Sequence, residues 1–317
     1  MAKKSIPAIN ESELDTEKPI PRHRVWIREH MFAVCIVAAI LLIIAIFFGI
    51  RIYKNASHPL TKFMAASAKN FNSSFTFEAE AIQNGKPVMK YTGAYKADAS
   101  KQNVKAIYEA DYGSYTYTGA VFAEGDTHVS GSCYDKKWHV HDCTDRVLNF
   151  FDFNTDFKAG RFDGASFLRF TDMTSSYSAD ELNNFMNVVK SRMDGGSPLA
   201  KVDVTTGNGY KTYQYDISLK EFFDLVREKG ASIFFSAIDY DAFCALYTAN
   251  EETVAKAECR FVFTIDSAGW LTDMQLSIKT GDEEFAVECQ FSDFGSAEVE
   301  IPEAFFDAAD AQLNNEN

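Results

Sequence analysis

Residues 75–95 read FTFEAEAIQNGKPVMKYTGAY, and the alternation of apolar and polar side chains in this stretch decides the fold. Apolar or small residues stand at every second position on both sides of Asn84-Gly85: Phe75, Phe77, Ala79 and Ala81 before it, and Met89, Tyr91, Gly93 and Tyr95 after it. A period of two is that of a strand with one apolar face. Asn-Gly between two such runs is the strongest short signal for a hairpin turn. The stretch therefore predicts two antiparallel strands.

The same alternation recurs along the rest of the chain. It is found at residues 104–109, 115–121, 138–141, 202–204, 213–217, 259–265, 270–278 and 285–291. Several of these runs are separated by turn residues, such as Gly207-Asn208-Gly209 and Gly281-Asp282. Regular alternation predicts a large antiparallel sheet with one apolar face and one solvent-exposed face.

Three helices are predicted between or before the strands. Pro59 opens a short amphipathic helix, and two capping boxes, Ser178–Glu181 and Ser218–Glu221, each precede an apolar stripe at helical spacing. Residues 147–170 are rich in Phe but too irregular for a strand or a clear helix. We expect part of this stretch, residues 150–170, to cover the sheet as a lid.

Residues 31–50 form an unbroken apolar run without a charged residue. At about 1.5 Å per residue such a helix spans about 30 Å, the hydrocarbon thickness of a bilayer. The run is longer than the core of a usual signal peptide and ends at Arg51 rather than at a small-residue cleavage site. It therefore predicts an uncleaved transmembrane anchor that holds the chain in the bilayer. Basic residues flank both ends, so the charge count does not decide the orientation.

The predicted organisation has five parts. Residues 1–30 are a disordered tail, 31–50 the single transmembrane helix, 51–58 a linker, 59–306 the folded domain and 307–317 a disordered acidic tail. The short polar ends predict disorder because they carry few large apolar residues.

The chain is acidic, with 45 Asp and Glu against 31 Lys and Arg and a net charge of −14. An acidic surface repels phosphate backbones, so nucleic acid is not expected as a partner. No phosphate-binding loop, nucleophile elbow, zinc-protease helix or dinucleotide fingerprint occurs. We therefore expect neither an enzyme nor a cofactor.

One segment, His139-Val-His141-Asp-Cys143, has the residue types of a zinc site. Its alternate residues His139, His141 and Cys143 point to one side of a strand. The simpler interpretation is a polar strand face with Trp138 and Val140 on the opposite, buried side, and we expect no metal. Cys133 and Cys143 lie too far apart along the predicted hairpin for a disulfide. We expect the domain to tolerate free thiols.

Two segments resemble the LolA/LppX-like family of cell-envelope lipoprotein carriers. Tyr213–Phe223 reads YQYDISLKEFF, a strand that runs into a capped helix, and Phe291–Gly295 followed by Val299–Pro302 is similar to the family's closing strand and exit. The resemblance covers roughly residues 59–303 and includes no catalytic residue. It implies an α+β fold, an antiparallel half-barrel sheet wrapped over helices with an apolar cavity between them.

The resemblance also implies an envelope location and a hydrophobic ligand. It places the N-terminus in the cytoplasm and the folded domain outside it, in a single-pass protein of the cell membrane. A permanent anchor departs from the family, whose members are soluble or lipid-anchored, and it forbids diffusion across the envelope. We therefore expect a tethered, monomeric binding protein for a lipid or another hydrophobic small molecule. The alternative is an envelope interaction or signalling module whose half-barrel docks a protein partner.

The predicted cavity lining consists of aromatic, Met and Val side chains from the apolar face of the sheet, because such linings adapt to flexible acyl chains. These residues are Phe75, Phe77, Met89, Tyr91, Tyr115, Tyr117, Phe261, Phe263, Met274, Phe285, Val287 and Phe291.

Overall fold

One antiparallel sheet of eleven strands dominates the fold of the computed structural model. The strands are β1 Ser74–Gln83, β2 Lys86–Asp98, β3 Asn103–Asp111, β4 Thr116–Glu124, β5 Thr127–Tyr134, β6 Lys137–Asp142, β7 Ala200–Thr206, β8 Tyr210–Ile217, β9 Glu258–Asp266, β10 Leu271–Thr280 and β11 Glu283–Ser292. The hairpin predicted at Asn84-Gly85 is confirmed, because both residues have positive φ, 51° and 72°, as a two-residue turn of that type requires.

The structure describes residues 59–158, 178–194, 199–230 and 237–313. The predicted tail 1–30, the membrane segment 31–50 and the linker 51–58 lie outside the described residues. Among the helices that are described, none combines the length and apolar character that a membrane crossing needs.

The strand order is β6-β5-β4-β3-β2-β1-β11-β10-β9-β8-β7. The chain therefore forms two meanders, β1–β6 and β7–β11, which meet where the first strand pairs with the last. The β1–β11 register sets Phe77 opposite Phe291 and Ala81 opposite Val287. We call the face that carries these four residues the inner face and the opposite one the outer face.

Six α-helices are described alongside the sheet. They are α1 Pro59–Phe71, α2 Thr144–Lys158, α3 Ala179–Asp194, α4 Leu219–Leu225, α5 Ala237–Ala255 and α6 Glu303–Leu313, with a π-helical turn Val226–Gly230 after α4. The serine N-caps of both predicted capping boxes are confirmed, because Ser178 Oγ and Ser218 Oγ accept hydrogen bonds from the backbone N–H of Glu181 and Glu221. The α+β class, a large antiparallel sheet with several helices, is confirmed.

Helix α1 packs on the inner face over β9 and β10. The ring of Phe63 lies 5.4 Å from that of Phe261 and 4.9 Å from that of Phe263. At the C-terminal end of α1, buried Asn70 donates from Nδ2 to the Leu271 carbonyl (2.8 Å) and accepts the Leu271 N–H at Oδ1 (3.3 Å). An amide that bonds both groups of one strand residue fixes the helix to the start of β10.

Helix α2 corrects the expectation that residues 147–170 lack regular structure. It is described to Lys158, and buried Val147 and Phe151 pack against Val104 and Ala123 on the inner face. Val147 and Phe151 are four residues apart and therefore share a helix face, which the crowding of other Phe residues concealed. The part of the expected lid that is described is thus a packed helix, and residues 159–177 lie outside the described ones.

Helix α6 corrects the expectation of a disordered tail at 307–317. It runs to Leu313, and Phe305 and Ala309, one turn apart, are buried on the outer face. Their partners include Val129 and Val140. The apolar positions of β6 therefore face the C-terminal helix and not the inner core, because a sheet covered on both sides can bury either alternate set.

Candidate functional site

The strand register places the predicted cavity lining on one surface. Phe77 faces Phe291 across β1–β11, Val287 faces Leu276 across β11–β10, and Met274 faces Phe263 across β10–β9. The register of the other strand pairs from β4 to β9 agrees. Every predicted lining residue that lies within a strand therefore belongs to the inner face. Tyr115 lies in the turn before β4 and is 53% exposed.

Three of the predicted lining residues belong to the packed core instead. Phe75, Phe261 and Phe263 are all buried, the last two under Phe63 of α1. Phe75 stacks on the ring of Tyr95 at 4.9 Å. These three side chains are covered by protein and belong to the core, not to an open cavity.

The remaining lining residues of the strands are half-buried and form what we call the inner patch: Phe77, Met89, Tyr91, Tyr117, Met274, Phe285, Val287 and Phe291. Their side chains are neither closed off like the core nor fully in water. A patch of aromatic and Met groups left partly open on one face of a sheet is a typical lining for a hydrophobic ligand.

Cys289 lies on β11 between Val287 and Phe291, and its register partners are Ala79 and Met274. Burial raises the pKa of this thiol to about 11. The thiol is therefore neutral near pH 7 and acts as a small apolar group in the floor of the inner patch. The sequence prediction did not include it.

Gly93 sets the depth of the inner patch beside β1. A Cβ at this position would collide with the Ile107 carbonyl, with Cβ of Tyr108 and with the ring of Phe77. Only glycine allows the Phe77 ring to lie down on β2 at this point. The patch is thus lowered locally by a missing side chain.

Beyond Tyr91, the inner patch continues into a group of six tyrosines, which we call the tyrosine cluster: Tyr91, Tyr108, Tyr112, Tyr115, Tyr117 and Tyr134. Ring centroids are 4.8 Å apart for Tyr112 and Tyr115 and 5.0 Å apart for Tyr117 and Tyr134. The hydroxyls of Tyr91 and Tyr112 are 2.7 Å apart, and desolvation together with this hydrogen bond raises the pKa of Tyr91. The Tyr91 hydroxyl is therefore neutral near pH 7, and the rings and hydroxyls of the cluster form an amphipathic surface.

A second cavity, about 580 Å³ in volume, lies between α1 and the turns at Gly207-Gly209 and Ser267-Gly269. We call it the lysine cavity, since Lys62 and Lys69 of α1 and Lys211 of β8 line it. Lys69 donates to the Ala268 carbonyl and lies 3.8 Å from the Trp270 ring centroid. Sequence analysis missed this site because the three lysines meet only after α1 docks on the sheet.

A larger depression, of about 670 Å³, has a different chemical character. Its walls are mainly polar or charged and include outer-face side chains such as Thr76, Glu78, Asp273 and Gln290. Its volume exceeds that of the lysine cavity, but its composition does not suit a hydrophobic ligand. We place the candidate site on the inner face for this reason.

Solved structures that are similar to this chain include two mycobacterial proteins. One is LprF from Mycobacterium bovis, with 10% identity, a TM-score of 0.30 and coverage of 78% of this chain and 98% of that chain. The other is the lipoprotein LppX from Mycobacterium tuberculosis, with 9% identity, a TM-score of 0.34 and coverage of 76% and 97%. The resemblance to LppX that the sequence indicated is confirmed. No family model and no curated protein matches the sequence.

Two histidines of the β5–β6 pair have hydroxyl partners. His141 Nε2 is 2.9 Å from Ser130 Oγ, and His128 Nδ1 is 3.3 Å from Thr144 Oγ1. Cys143 is buried beside Val147 in the α2 contact. Among the described residues, no group of three or more His, Cys, Asp or Glu is arranged to hold a metal ion.

The described cysteines are all free thiols: Cys133, Cys143, Cys244, Cys259 and Cys289. Cys133 and Cys143, which the sequence predicts not to pair, are both among them. Desolvation raises the pKa of Cys143. A buried neutral thiol packs as a small apolar group and is not an activated nucleophile.

Proposed function

We propose that this chain is a non-catalytic binding protein for a lipid or another hydrophobic small molecule, tethered to the membrane. In this proposal residues 31–50 span the cell membrane once, the N-terminus is cytoplasmic, and the folded domain is an extracytoplasmic half-barrel that acts as a monomer. The observation that carries the proposal is the inner patch.

The inner patch supports ligand binding because its apolar side chains stay partly open beside residues that α1 covers. Phe261 and Phe263 on β9 are covered by α1, whereas Met274 and Val287 on the neighbouring strands are half-exposed. Each methylene of an acyl chain that such a surface removes from water contributes about 0.8 kcal/mol. Burial of several methylenes of one acyl chain therefore provides most of the binding free energy that such a ligand needs.

Tethering rests on the sequence of residues 31–50, which has no charge and the length of one bilayer crossing. A protein held by such a helix does not shuttle between membranes. The proposed role is therefore to hold, present or sense a hydrophobic molecule at one membrane.

Native mass spectrometry of the full chain, released from a mild detergent, tests the proposal. We expect an adduct with the mass of a lipid that survives removal of detergent. The Val287→Trp variant should lose the adduct because the indole fills the patch, whereas Gln290→Trp, exposed on the opposite face, should retain it. A parent chain without any adduct, which also takes up no fluorescent fatty acid, would refute ligand binding.

The tyrosine cluster favours a second candidate function, the docking of a protein partner in the envelope. Tyr115 and Tyr134 are 53% and 43% exposed, and tyrosines are enriched among the residues that dominate binding energy at protein interfaces. Cross-linking in membranes through a photoreactive group at position 115 tests this candidate. A cross-linked partner that disappears on Tyr134→Ala would support it, and an absence of protein adducts would refute it.

A further inference from the structure

We propose that the lysine cavity binds the anionic group of an amphiphile, a phosphate or carboxylate carried on an acyl chain. This inference rests on the proposed function, because it names the chemical class of the hydrophobic ligand. It depends on the charge and on the walls of this one cavity.

The charge of the lysine cavity contrasts with that of the chain as a whole. The protein has a net charge of −14, yet three lysines converge on one opening. Lys62 and Lys69 are seven residues apart on α1 and therefore share one face of the helix. Lys211 joins them from β8, across the cavity. Asp266 is the acidic residue in the lining, and its Oδ1 already accepts the Trp270 N–H at 2.8 Å.

The ammonium groups of Lys62 and Lys69 lie near neutral groups. Lys62 lies 6.0 Å from the centroid of the Tyr213 ring, and Lys69 interacts with a carbonyl oxygen and the Trp270 ring. Within the part of the chain that the structure describes, none of the three lysines forms an ion pair with a carboxylate. Each ammonium has three donors, so donors remain for a ligand anion.

The walls between the lysines are largely carbon. Ala65 and Ala66 contribute from α1, and Ile265 and the ring of Tyr213 contribute from the sheet. An anion bound by the lysines therefore lies beside apolar groups. Such walls suit an alkyl chain attached to the anion better than they suit a sugar. At about 580 Å³ the cavity lies within the usual range for small-molecule sites.

Titration of the full chain in phosphatidylcholine nanodiscs tests the inference with three soluble probes. The probes are dihexanoyl-phosphatidate, dihexanoyl-phosphatidylcholine and inorganic phosphate, and binding is followed by calorimetry. We expect the phosphatidate to bind more tightly than the other two. The Lys62→Gln/Lys69→Gln/Lys211→Gln variant should bind it about tenfold more weakly, since three partly exposed charge contacts are lost.

The matched control is the triple variant Lys96→Gln/Lys201→Gln/Lys279→Gln, which removes the same charge from exposed positions elsewhere on the sheet. It should bind the phosphatidate like the parent. The single variant Lys211→Glu is a second test that does not depend on the triple variant folding. This side chain is exposed and has little role in packing, so the variant should fold. Its reversed charge should weaken binding of the phosphatidate.

The possible outcomes separate the two proposals. If both dihexanoyl lipids bind equally and the lysine variants behave like the parent, the anionic site is refuted and hydrophobic binding stands. If inorganic phosphate binds as tightly as the phosphatidate, the cavity is a free-anion site and the amphiphile is refuted. If no lipid and no fatty-acid probe binds, the proposed function itself fails.

Discussion

Replacing Asn70 by Ala should release the C-terminal end of α1 from the sheet. The Asn70 side chain is 2% exposed and satisfies both the N–H and the carbonyl of Leu271. Each buried backbone group left without a partner costs about 1–3 kcal/mol. We expect the free energy of unfolding to fall by roughly 2–4 kcal/mol, since water partly replaces the lost bonds.

Thermal unfolding of the full chain in detergent, followed by circular dichroism, measures the effect. For a domain of this size the expected loss corresponds to a decrease in Tm of roughly 5–15 °C. Asn208→Ala is the matched control, because Asn208 is exposed in the β7–β8 turn and its loss should leave Tm nearly unchanged. If Asn70→Ala and Asn208→Ala unfold at the same temperature, the bonds to Leu271 do not hold α1 in place.

Three further results are expected. Val287→Trp should lower the affinity for a fluorescent fatty acid at least about tenfold while Gln290→Trp leaves it unchanged, and equal binding by both variants would contradict the inner patch as the site. Phe305→Ala should lower the free energy of unfolding, measured in urea, by about 3–5 kcal/mol because a buried ring is lost. A change near zero would contradict the packing of α6 on the sheet. Alkylation of Cys289 should accelerate about tenfold per pH unit from pH 8 to pH 10, below its pKa of about 11, and a rate that levels off near pH 8 would contradict the burial of this thiol.

Local signals predicted the strands and their turns. Asn84-Gly85 and Gly281-Asp282 each fix a two-residue connection through their own backbone preferences, and no distant contact is needed. Capping boxes are equally local, since Ser218 and Glu221 stand three residues apart. These features could therefore be read directly from the sequence.

Pairings between distant residues could not be predicted in this way. The contact of β1 with β11 joins Phe77 to Phe291, and nothing in either strand alone specifies the other. Which of the apolar residues become core depends on where α1 docks, and so Phe261 was assigned to the cavity although it is closed. The lysine cavity combines α1 with residue 211 and was missed for the same reason.

The inner patch is open because the helices cover only parts of the sheet. Helix α1 covers β9 and the start of β10, and α2 covers Val104 and Ala123 on β3 and β4, while α6 lies on the outer face. The β1–β11 pair joins the two meanders and has small residues such as Ala79 and Cys289 in register. The apolar residues of this pair are partly open, whereas those under α1 and α2 are buried. Because partly open apolar surface carries a free-energy cost in water, this junction is the surface that the proposed hydrophobic ligand would cover.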